Sequence, residues 1–382
     1  MTLTGAPFLD GVLAATIAAF VLLVVMWPRL TARTPLHIAG RVGALLLVNV
    51  LVLLSAATQM NAAYLFFAGW GDLQGALSGH LAQTGLDRGG NASKALHIAV
   101  HGQAARASRH VPALRVPVSA SGAATFTVQG PLSGLTGTVV VRLPPGYSSA
   151  AQQAQRYPVL EAYHGYPSAP ASWLKVFHLG SVVQQQERAH RLRPTLVVMP
   201  QIEIPPGVDT EGVNGLAGRP QLETWLTSDV PNWVARTFRV ETNRDAWATI
   251  GYSAGGWDAA MSTVLHPAQY GAGIVLGGYF KPQFGPFYEP YPPSSPLARR
   301  YDLPKVVKAS SPPVAMWVET SHSDQLSYAS SAAFLRATRL PMAVHGVVLQ
   351  NAGHRDSVWI RLLPEALGWL GKNVGGFRPL AS

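Results

Sequence analysis

The 382-residue sequence contains no cysteine and few charged residues. Without cysteine the chain has no disulfide framework, no thiolate zinc site, no iron–sulfur cluster and no cysteine nucleophile. Aspartate, glutamate, lysine and arginine together make up 13% of the residues, whereas soluble domains have roughly 25%. This low charge content excludes a disordered chain and indicates a segment that lies in a membrane.

Two long apolar runs near the N-terminus contain much of the hydrophobicity. No charge interrupts residues 11–28, and a second uncharged stretch runs from Val42 past Trp70. Each run is long enough to cross about 30 Å of hydrocarbon, which takes roughly 20 helical residues. We therefore predict a membrane hairpin over residues 1–72, with transmembrane helices at about 11–28 and 42–70.

Three arginines in the short connection predict the orientation of this hairpin. Arg29, Arg33 and Arg41 have no acidic residue beside them. Because positively charged loops stay in the cytoplasm, we expect both ends of the hairpin to face outward, which makes this a two-helix cell-membrane protein with its remaining chain extracytoplasmic. A secretory signal would need a basic start, but the first ten residues carry Asp10 and no lysine or arginine. Cleavage after the second helix stays open as an alternative.

Residues 73–120 are small, polar and basic, without sustained periodicity. This composition predicts a flexible basic linker. Its charge suits lipid headgroups or an anionic cell envelope, and nucleic acid is not an expected partner outside a membrane. His97 and His101 have i, i+4 spacing but no third ligand nearby, so we predict no metal site.

Residues 121–382 alternate between short apolar strands and helical segments. The first two strands, 125–129 and 137–143, predict an antiparallel hairpin. Six more strands are predicted at 157–163, 195–199, 246–250, 273–277, 314–318 and 343–348. Because helical segments separate most of them, the pattern predicts an α/β domain whose mostly parallel sheet is covered by helices on both faces.

A glycine-rich turn follows the strand at 246–250. Its sequence, Gly251-Tyr252-Ser253-Ala254-Gly255, opens a helical segment. In such a turn the glycines allow the backbone and helix to approach, and the serine hydroxyl is raised above the sheet edge. A serine needs a base to become a nucleophile, and in this arrangement the chain order is serine, acid, histidine. We predict Ser253 as the nucleophile and His354, on the loop after the last strand, as its base.

Two residues compete for the role of the acid that orients His354. Asp324 lies on the loop after the strand at 314–318, whereas Glu319 continues that strand. We favour Asp324, because a loop residue can reach a histidine more freely, and keep Glu319 as the alternative. An oxyanion hole requires two backbone N–H groups, which we assign to Ala254 and Tyr166. This chemistry requires neither a metal nor an organic cofactor.

A longer motif precedes this turn. It runs from Glu223 to Trp233 as ETWLTSDVPNW, and the turn is followed by His266-Pro267. From about residue 125 to 370 the chain resembles the branch of the α/β-hydrolases that contains esterase D and the mycobacterial mycolyltransferases. The resemblance implies an α/β-hydrolase domain over 121–382 and an acyl-enzyme on Ser253.

These observations lead to one expected function and two alternatives. We expect a membrane-anchored, extracytoplasmic serine esterase that cleaves carboxylic esters of a lipid or envelope glycolipid. One alternative is an acyltransferase, similar to a mycolyltransferase, that passes the acyl group to a sugar or lipid. The other is a non-catalytic interaction protein that retains the hydrolase fold. The sequence leaves the oligomeric state open.

Overall fold

The computed structural model of the chain describes residues 2–32, 34–78, 83–88, 122–285 and 288–379, with only the backbone described at 83–88. The chain forms two units. The smaller unit consists of Met1–Ala82, His322–Leu326 and Gln350–Arg355. The larger unit consists of Gln83–Ser321, Ser327–Leu349 and Asp356–Ser382.

Three helices form most of the smaller unit: α1 (Ala6–Met26), α2 (Pro35–Tyr64) and α3 (Trp70–Ser78). A 3₁₀ turn over Trp27–Leu30 extends α1. Helices α1 and α2 are long and apolar enough to cross a membrane, and they bury few of their residues. They are therefore candidate membrane spans.

The second apolar helix differs from its predicted limits at both ends. It begins at Pro35 rather than near residue 42, because Thr34 caps it by accepting the N–H of His37. It ends at Tyr64 rather than near residue 70, because Leu65 takes a left-handed conformation with φ of 55°. Apolar composition predicted the membrane-sized run, whereas local capping decided where the helix begins and ends.

The first part of the segment predicted as a flexible linker, 73–120, has regular secondary structure. Helix α3 extends to Ser78, and strand β1 covers Gln83–Arg88. The strand sequence, QTGLDR, lacks alternating apolar residues, so its sequence gives little strand signal. It forms by pairing its backbone with the free edge of the last strand. Residues 89–121, with the rest of the predicted linker and His97 and His101, lie outside the described residues.

The larger unit contains a nine-stranded sheet. Its strands are β1 (Gln83–Arg88), β2 (Ala123–Gln129), β3 (Thr136–Arg142), β4 (Val159–Tyr163), β5 (Leu196–Pro200), β6 (Trp247–Tyr252), β7 (Ala272–Leu276), β8 (Ala315–Ser321) and β9 (Ala343–Leu349). Their order is β1-β9-β8-β7-β6-β4-β5-β3-β2. The pairings among β4 to β9 are parallel, while β1, β2 and β3 pair antiparallel. All eight predicted strands, the hairpin and the mostly parallel sheet are confirmed.

Helices follow most of the parallel strands. In chain order they are α4 (Ser172–Lys175), α5 (Leu179–Arg188), α6 (Leu222–Thr224), α7 (Val230–Thr237), α8 (Ala254–Leu265), α9 (Pro296–Arg300), α10 (Leu303–Ala309), α11 (Tyr328–Ala337) and α12 (Asp356–Asn373). The apolar core has one cluster against β2 to β6 and another against β7 to β9. Helix α8 contributes Ala259 to the first cluster and Trp257 to the second. This burial fixes the helix that follows Ser253.

Candidate active site

Ser253 lies in the sharp turn between β6 and α8, with φ of 56° and ψ of −124°. A positive φ is uncommon for a residue other than glycine and is found where the surrounding structure holds the backbone in place. Here the N–H of Ser253 donates to the carbonyl of Leu276 at 3.0 Å, and the Ser253 carbonyl accepts from Gly256 at 2.9 Å. Ser253 remains partly exposed between the buried Tyr252 and Ala254. The predicted strand–turn–helix context of Ser253 is therefore present.

The glycines around Ser253 are required by close backbone contacts. A Cβ added to Gly251 would lie 1.8 Å from the carbonyl oxygen of Gly255. A Cβ on Gly255 would lie 2.2 Å from the carbonyl oxygen of Tyr163, at the end of β4. Because the obstructing atoms belong to the backbone, a rotamer change cannot relieve either overlap. The backbone of this turn therefore favours glycine at positions 251 and 255.

Aromatic side chains support the turn from one side. The ring of Tyr252 stacks on Phe177 with centroids 4.2 Å apart and contacts Trp173 edge-on at 5.0 Å. Its hydroxyl is hydrogen-bonded to the hydroxyls of Ser168 at 3.1 Å and Ser172 at 2.9 Å. Tyr252 therefore has both its ring and its hydroxyl fixed, which holds the adjacent Ser253 in place.

The loop after β4 lies next to Ser253. Strands β4 and β6 are neighbours, with Tyr163 paired to Gly251. A Cβ added to Gly165 would lie 3.3 Å from the Cβ of Ser253, so this loop passes directly beside the serine. Tyr166, the predicted oxyanion residue, follows Gly165, and its hydroxyl donates to the carbonyl of Gly207 at 3.2 Å. Ala254, the other predicted donor, is the first residue of α8, where backbone N–H groups lack an acceptor within the helix.

His164 fixes the start of this loop and is uncharged. Burial lowers the pKa of its imidazole to about 4, although a hydrogen bond with Gly165 acts in the opposite direction. Its Nε2 accepts the N–H of Ile202 at 3.3 Å. Nδ1 must then carry the proton, which it donates to the carbonyl of Gly165 at 2.8 Å. The neutral imidazole therefore links the loop after β4 to the chain after β5.

The two predicted acids differ in their surroundings. The carboxylate of Glu319 is buried on β8, and its Oε2 accepts the N–H of Gly277 at 2.8 Å. Asp324 lies on the loop after β8, and its Oδ2 is 2.9 Å from Nδ1 of His354. Its other oxygen accepts the N–H of Leu326 at 3.0 Å. Both Asp324 and His354 are buried, so little water competes for this contact.

Two loops of the smaller unit carry this histidine–aspartate pair. They are also joined by Ser323, whose hydroxyl donates to the carbonyl of Gln350 and to Oδ1 of Asn351, each at 3.1 Å. Each loop follows one of two adjacent parallel strands, β8 and β9. Ser253 follows β6, which is separated from β8 by β7 in the same sheet. Because adjacent parallel strands run in the same direction, the carboxyl ends of β6, β8 and β9 lie at the same edge of the sheet.

The motif before β6 has a structural role. Glu223 is buried and accepts from Nε2 of His266 at 2.7 Å, from Arg300 and from the hydroxyl of Tyr301 at 2.5 Å. Burial alone would raise its pKa, but these donors lower it to about 2. Glu223 thus ties α6 to the end of α8 and to the end of α9.

The residues that hold the His354 loop are not revealed by the sequence pattern. The N–H of His354 donates to the carbonyl of Leu65 at 2.9 Å, and Arg355 forms an ion pair with Asp72. These partners are nearly 300 positions apart in the chain. A lone aspartate in an otherwise uncharged apolar segment was the one available signal, because such a charge needs a partner when it is buried.

Comparison with known proteins supports the fold. A family profile described as "Putative esterase" matches residues 134–370. An uncharacterized protein of Corynebacterium glutamicum is 24% identical over 175 residues, which are 41% of this chain and 38% of that protein. An endo-1,4-beta-xylanase/feruloyl esterase of Xylanibacter ruminicola is 26% identical over 156 residues, 40% of this chain and 21% of that protein. The chain therefore spans less than half the length of these two relatives.

A solved structure shares the same architecture. The S-formylglutathione hydrolase from Agrobacterium tumefaciens matches 67% of this chain and 98% of its own, with a TM-score of 0.56 and 16% identity. At this identity the likeness shows the fold alone. The predicted α/β-hydrolase fold is confirmed.

Proposed function

The chain belongs to the putative esterase family, and on that premise we propose that it is a membrane-anchored, extracytoplasmic serine esterase with a Ser253–Asp324–His354 triad. The observation that carries the proposal is the turn at Ser253, where a partly exposed serine has φ of 56° at the start of a helix. The buried contact of His354 with Asp324 supports the assignment of the base and the acid.

The proposed reaction begins with attack of the Ser253 hydroxyl on the ester carbonyl. His354 takes the hydroxyl proton on Nε2 and gives it to the departing alcohol. Asp324 accepts a hydrogen bond from Nδ1–H of His354, which fixes the tautomer and stabilises the imidazolium. A water molecule, activated by the same histidine, then releases the acid from the acyl-enzyme.

Negative charge on the tetrahedral oxygen would be stabilised by backbone donors. We assign this role to the N–H groups of Ala254 and Tyr166, since one begins α8 and the other follows Gly165 beside Ser253. Loss of a single donor of this type costs about 10²- to 10³-fold in kcat. No metal ion or organic cofactor enters this mechanism.

Covalent labelling of the solubilised full-length protein tests the nucleophile. A fluorophosphonate probe and short p-nitrophenyl esters should react with the wild type, whereas Ser253→Ala should lose labelling and on the order of 10⁶ in kcat. Ser262→Ala is the matched control, because Ser262 is buried on α8, the helix that follows Ser253. This variant should leave labelling intact. If the wild type neither labels nor hydrolyses esters, the non-catalytic alternative replaces the enzyme.

We propose that α1 and α2 anchor the enzyme with both ends of the hairpin outside. Arg29 lies in the 3₁₀ turn that extends α1, and Arg41 lies near the start of α2, so positive charge flanks the connection as expected for a cytoplasmic side. Tyr64, Phe66 and Trp70 are exposed near the other end, where aromatic side chains favour the membrane interface. Protease added to intact cells should remove the esterase domain, and full protection would refute this orientation.

An anchored enzyme suggests an ester that lies in the same membrane. We propose lipid or envelope glycolipid esters as substrates. In vesicles carrying the protein, a fluorogenic long-chain ester in the same bilayer should be cleaved faster than one in separate vesicles. Equal rates in the two arrangements would exclude a preference for membrane-held substrates.

Acyl transfer remains the second candidate, favoured by the motif around Glu223 that resembles the mycolyltransferase branch. The two reactions differ only in what attacks the acyl-enzyme. Adding a sugar acceptor to the ester assay separates them, because a transferase forms the sugar ester and releases less free acid, whereas an esterase releases acid at an unchanged rate.

A further inference from the structure

A buried ion pair joins the segment after α2 to the loop of His354. Nη1 of Arg355 lies 2.6 Å from Oδ2 of Asp72, and Nη2 lies 2.8 Å from Oδ1. The side chains of Arg355 and Asp72 are 8% and 2% exposed. Two parallel charge-assisted hydrogen bonds of this kind fix both the distance and the orientation of the partners.

Further contacts hold the same two segments together. Nη1 of Arg355 also donates to the carbonyl of Phe66 at 2.9 Å, and its guanidinium lies 4.9 Å from the ring of Phe67. The other side of the ion pair is fixed as well, since Oδ2 of Asp72 accepts the N–H of Ala68 at 3.0 Å. The arginine beside His354 is thus surrounded by residues 66–72.

The backbone of the histidine loop is equally close to this segment. The N–H of His354 donates to the carbonyl of Leu65, the first residue after α2, at 2.9 Å. A Cβ on Gly353 would lie 2.2 Å from the carbonyl oxygen of Phe66 and 2.8 Å from Oδ2 of Asp72. Only glycine fits at position 353. The residues on both sides of His354 therefore contact the end of the hairpin.

The turn after α2 is itself fixed. Oδ1 of Asn61 accepts the N–H of Phe67 at 2.7 Å, and its Nδ2 donates to the carbonyl of Phe67 at 3.0 Å. The Asn61 side chain of α2 thus closes the turn between the helix and Phe67. The last turn of α2 is therefore hydrogen-bonded to the segment that contacts His354.

A simple tether does not need such contacts. Burying an arginine and an aspartate removes both from water, and the cost is offset only when the geometry is good and the remaining hydrogen bonds are made. Helices α1 and α2 would suffice to attach the protein to a membrane. The ion pair is therefore better explained by the position that it gives to the loop of His354.

We propose that Asp72 and Arg355 are positioning residues for His354, so that the end of the membrane hairpin is part of the acid–base machinery. The inference rests on the proposed function, because it takes His354 as the base. Residues 42–64 form about 35 Å of helix, slightly more than the roughly 30 Å of a bilayer core. Leu65, and with it His354, would then lie at the outer membrane interface, at the level of lipid ester groups.

The test compares Asp72→Asn with Glu187→Gln in the full-length protein, assayed with a short soluble ester. The control removes the charge from a similar buried pair, since Glu187 bonds Arg142 at 3.0 and 3.1 Å with side chains 6% and 4% exposed. We expect Asp72→Asn to lower kcat by about 10- to 100-fold, as expected for a displaced catalytic group, with KM changed less than about twofold. Glu187→Gln should keep kcat within about twofold. A normal kcat in folded Asp72→Asn overturns the proposal.

A double variant with His354→Ala distinguishes a positioning role of Asp72 from a general loss of structure. If Asp72 acts through His354, then Asp72→Asn should have no further effect on the residual rate of His354→Ala, because the group that it positions is gone. An equal loss in both backgrounds would overturn the proposal.

If Asp72→Asn does not fold, a more conservative variant of the same ion pair tests the proposal. Arg355→Lys keeps the charge but loses the bidentate geometry, and it should lower kcat by about 3- to 10-fold. Wild-type kcat in Arg355→Lys would then refute the inference. An inactive wild type, or an active Ser253→Ala, would instead refute the proposed function.

Discussion

Nδ1 of His354 lies 2.9 Å from Oδ2 of Asp324, in a contact that is almost fully buried. The neighbouring acid Glu319, five positions earlier, instead binds the N–H of Gly277 at 2.8 Å. One carboxylate thus holds an imidazole and the other holds the backbone after β7. Asp324 and Glu319 therefore bind different parts of the chain.

This difference predicts unequal effects of neutralising the two acids. Asp324→Asn should lower kcat by about 10⁴, the loss expected when the histidine takes the wrong tautomer. Glu319→Gln preserves the shape of the side chain and should cost less than about tenfold. Steady-state hydrolysis of a p-nitrophenyl ester measures both. A loss of 10⁴ at Glu319 alone would reverse the assignment.

The close approach at Gly251 predicts a large stability effect. In Gly251→Ala the new methyl group would overlap the carbonyl of Gly255 at 1.8 Å, so we expect a loss of roughly 4 kcal/mol or more. At Gly375 an added Cβ meets no atom within 4 Å among the described residues, and Gly375→Ala should change stability by less than about 1 kcal/mol. Thermal unfolding compares the two variants, and similar melting temperatures would contradict the tight turn.

Glu161 predicts that the wild-type protein loses stability as the pH rises towards 8. Burial raises the pKa of this β4 carboxyl to about 8, although Tyr270 donates a hydrogen bond to it at 2.7 Å. The native state therefore holds a proton that the unfolded chain releases above about pH 4.5, and the associated stability is lost as pH rises towards 8. Glu161→Gln does not titrate, so its stability relative to wild type should increase by roughly 3–5 kcal/mol over this range.

Denaturant unfolding at pH 5 and pH 8.5 measures this change. Glu365→Gln is the control, because Glu365 is exposed on α12 and its substitution should shift stability equally at both pH values. Parallel curves for Glu161→Gln and wild type would show that the carboxyl is charged in the folded protein.

His164 predicts the opposite dependence on pH. Burial lowers its pKa to about 4. Between about pH 6.5 and pH 4 the unfolded chain therefore binds a proton on this imidazole, whereas the native state does not. Its contribution is complete above pH 6.5 and is lost, by roughly 3 kcal/mol, as pH falls to 4. The free energy of unfolding of His164→Asn should therefore depend less on pH between 4 and 6.5 than that of the wild type. Denaturant unfolding over this pH range measures the difference. An unchanged slope would mean that the native imidazole is protonated.

Much of the fold follows from local sequence patterns. The eight strands predicted from residue 125 onward have short apolar runs, and the turn at Ser253 has glycines where any Cβ would overlap the backbone. These features depend on neighbours within a few residues, so the sequence itself contains the information. The strand Gln83–Arg88 was missed because its sequence is polar and its pairing partner, β9, lies far along the chain.

The candidate site divides in the same way. The sequence by itself predicts a serine nucleophile between β6 and α8, because cysteine is absent and the G-x-S-x-G turn follows an apolar strand. Only the tertiary structure brings Asp324 to His354, and Asp72 to Arg355. The reason is physical: a turn is specified by the sterics of adjacent residues, whereas a buried charge takes its partner from whichever distant segment the fold brings beside it.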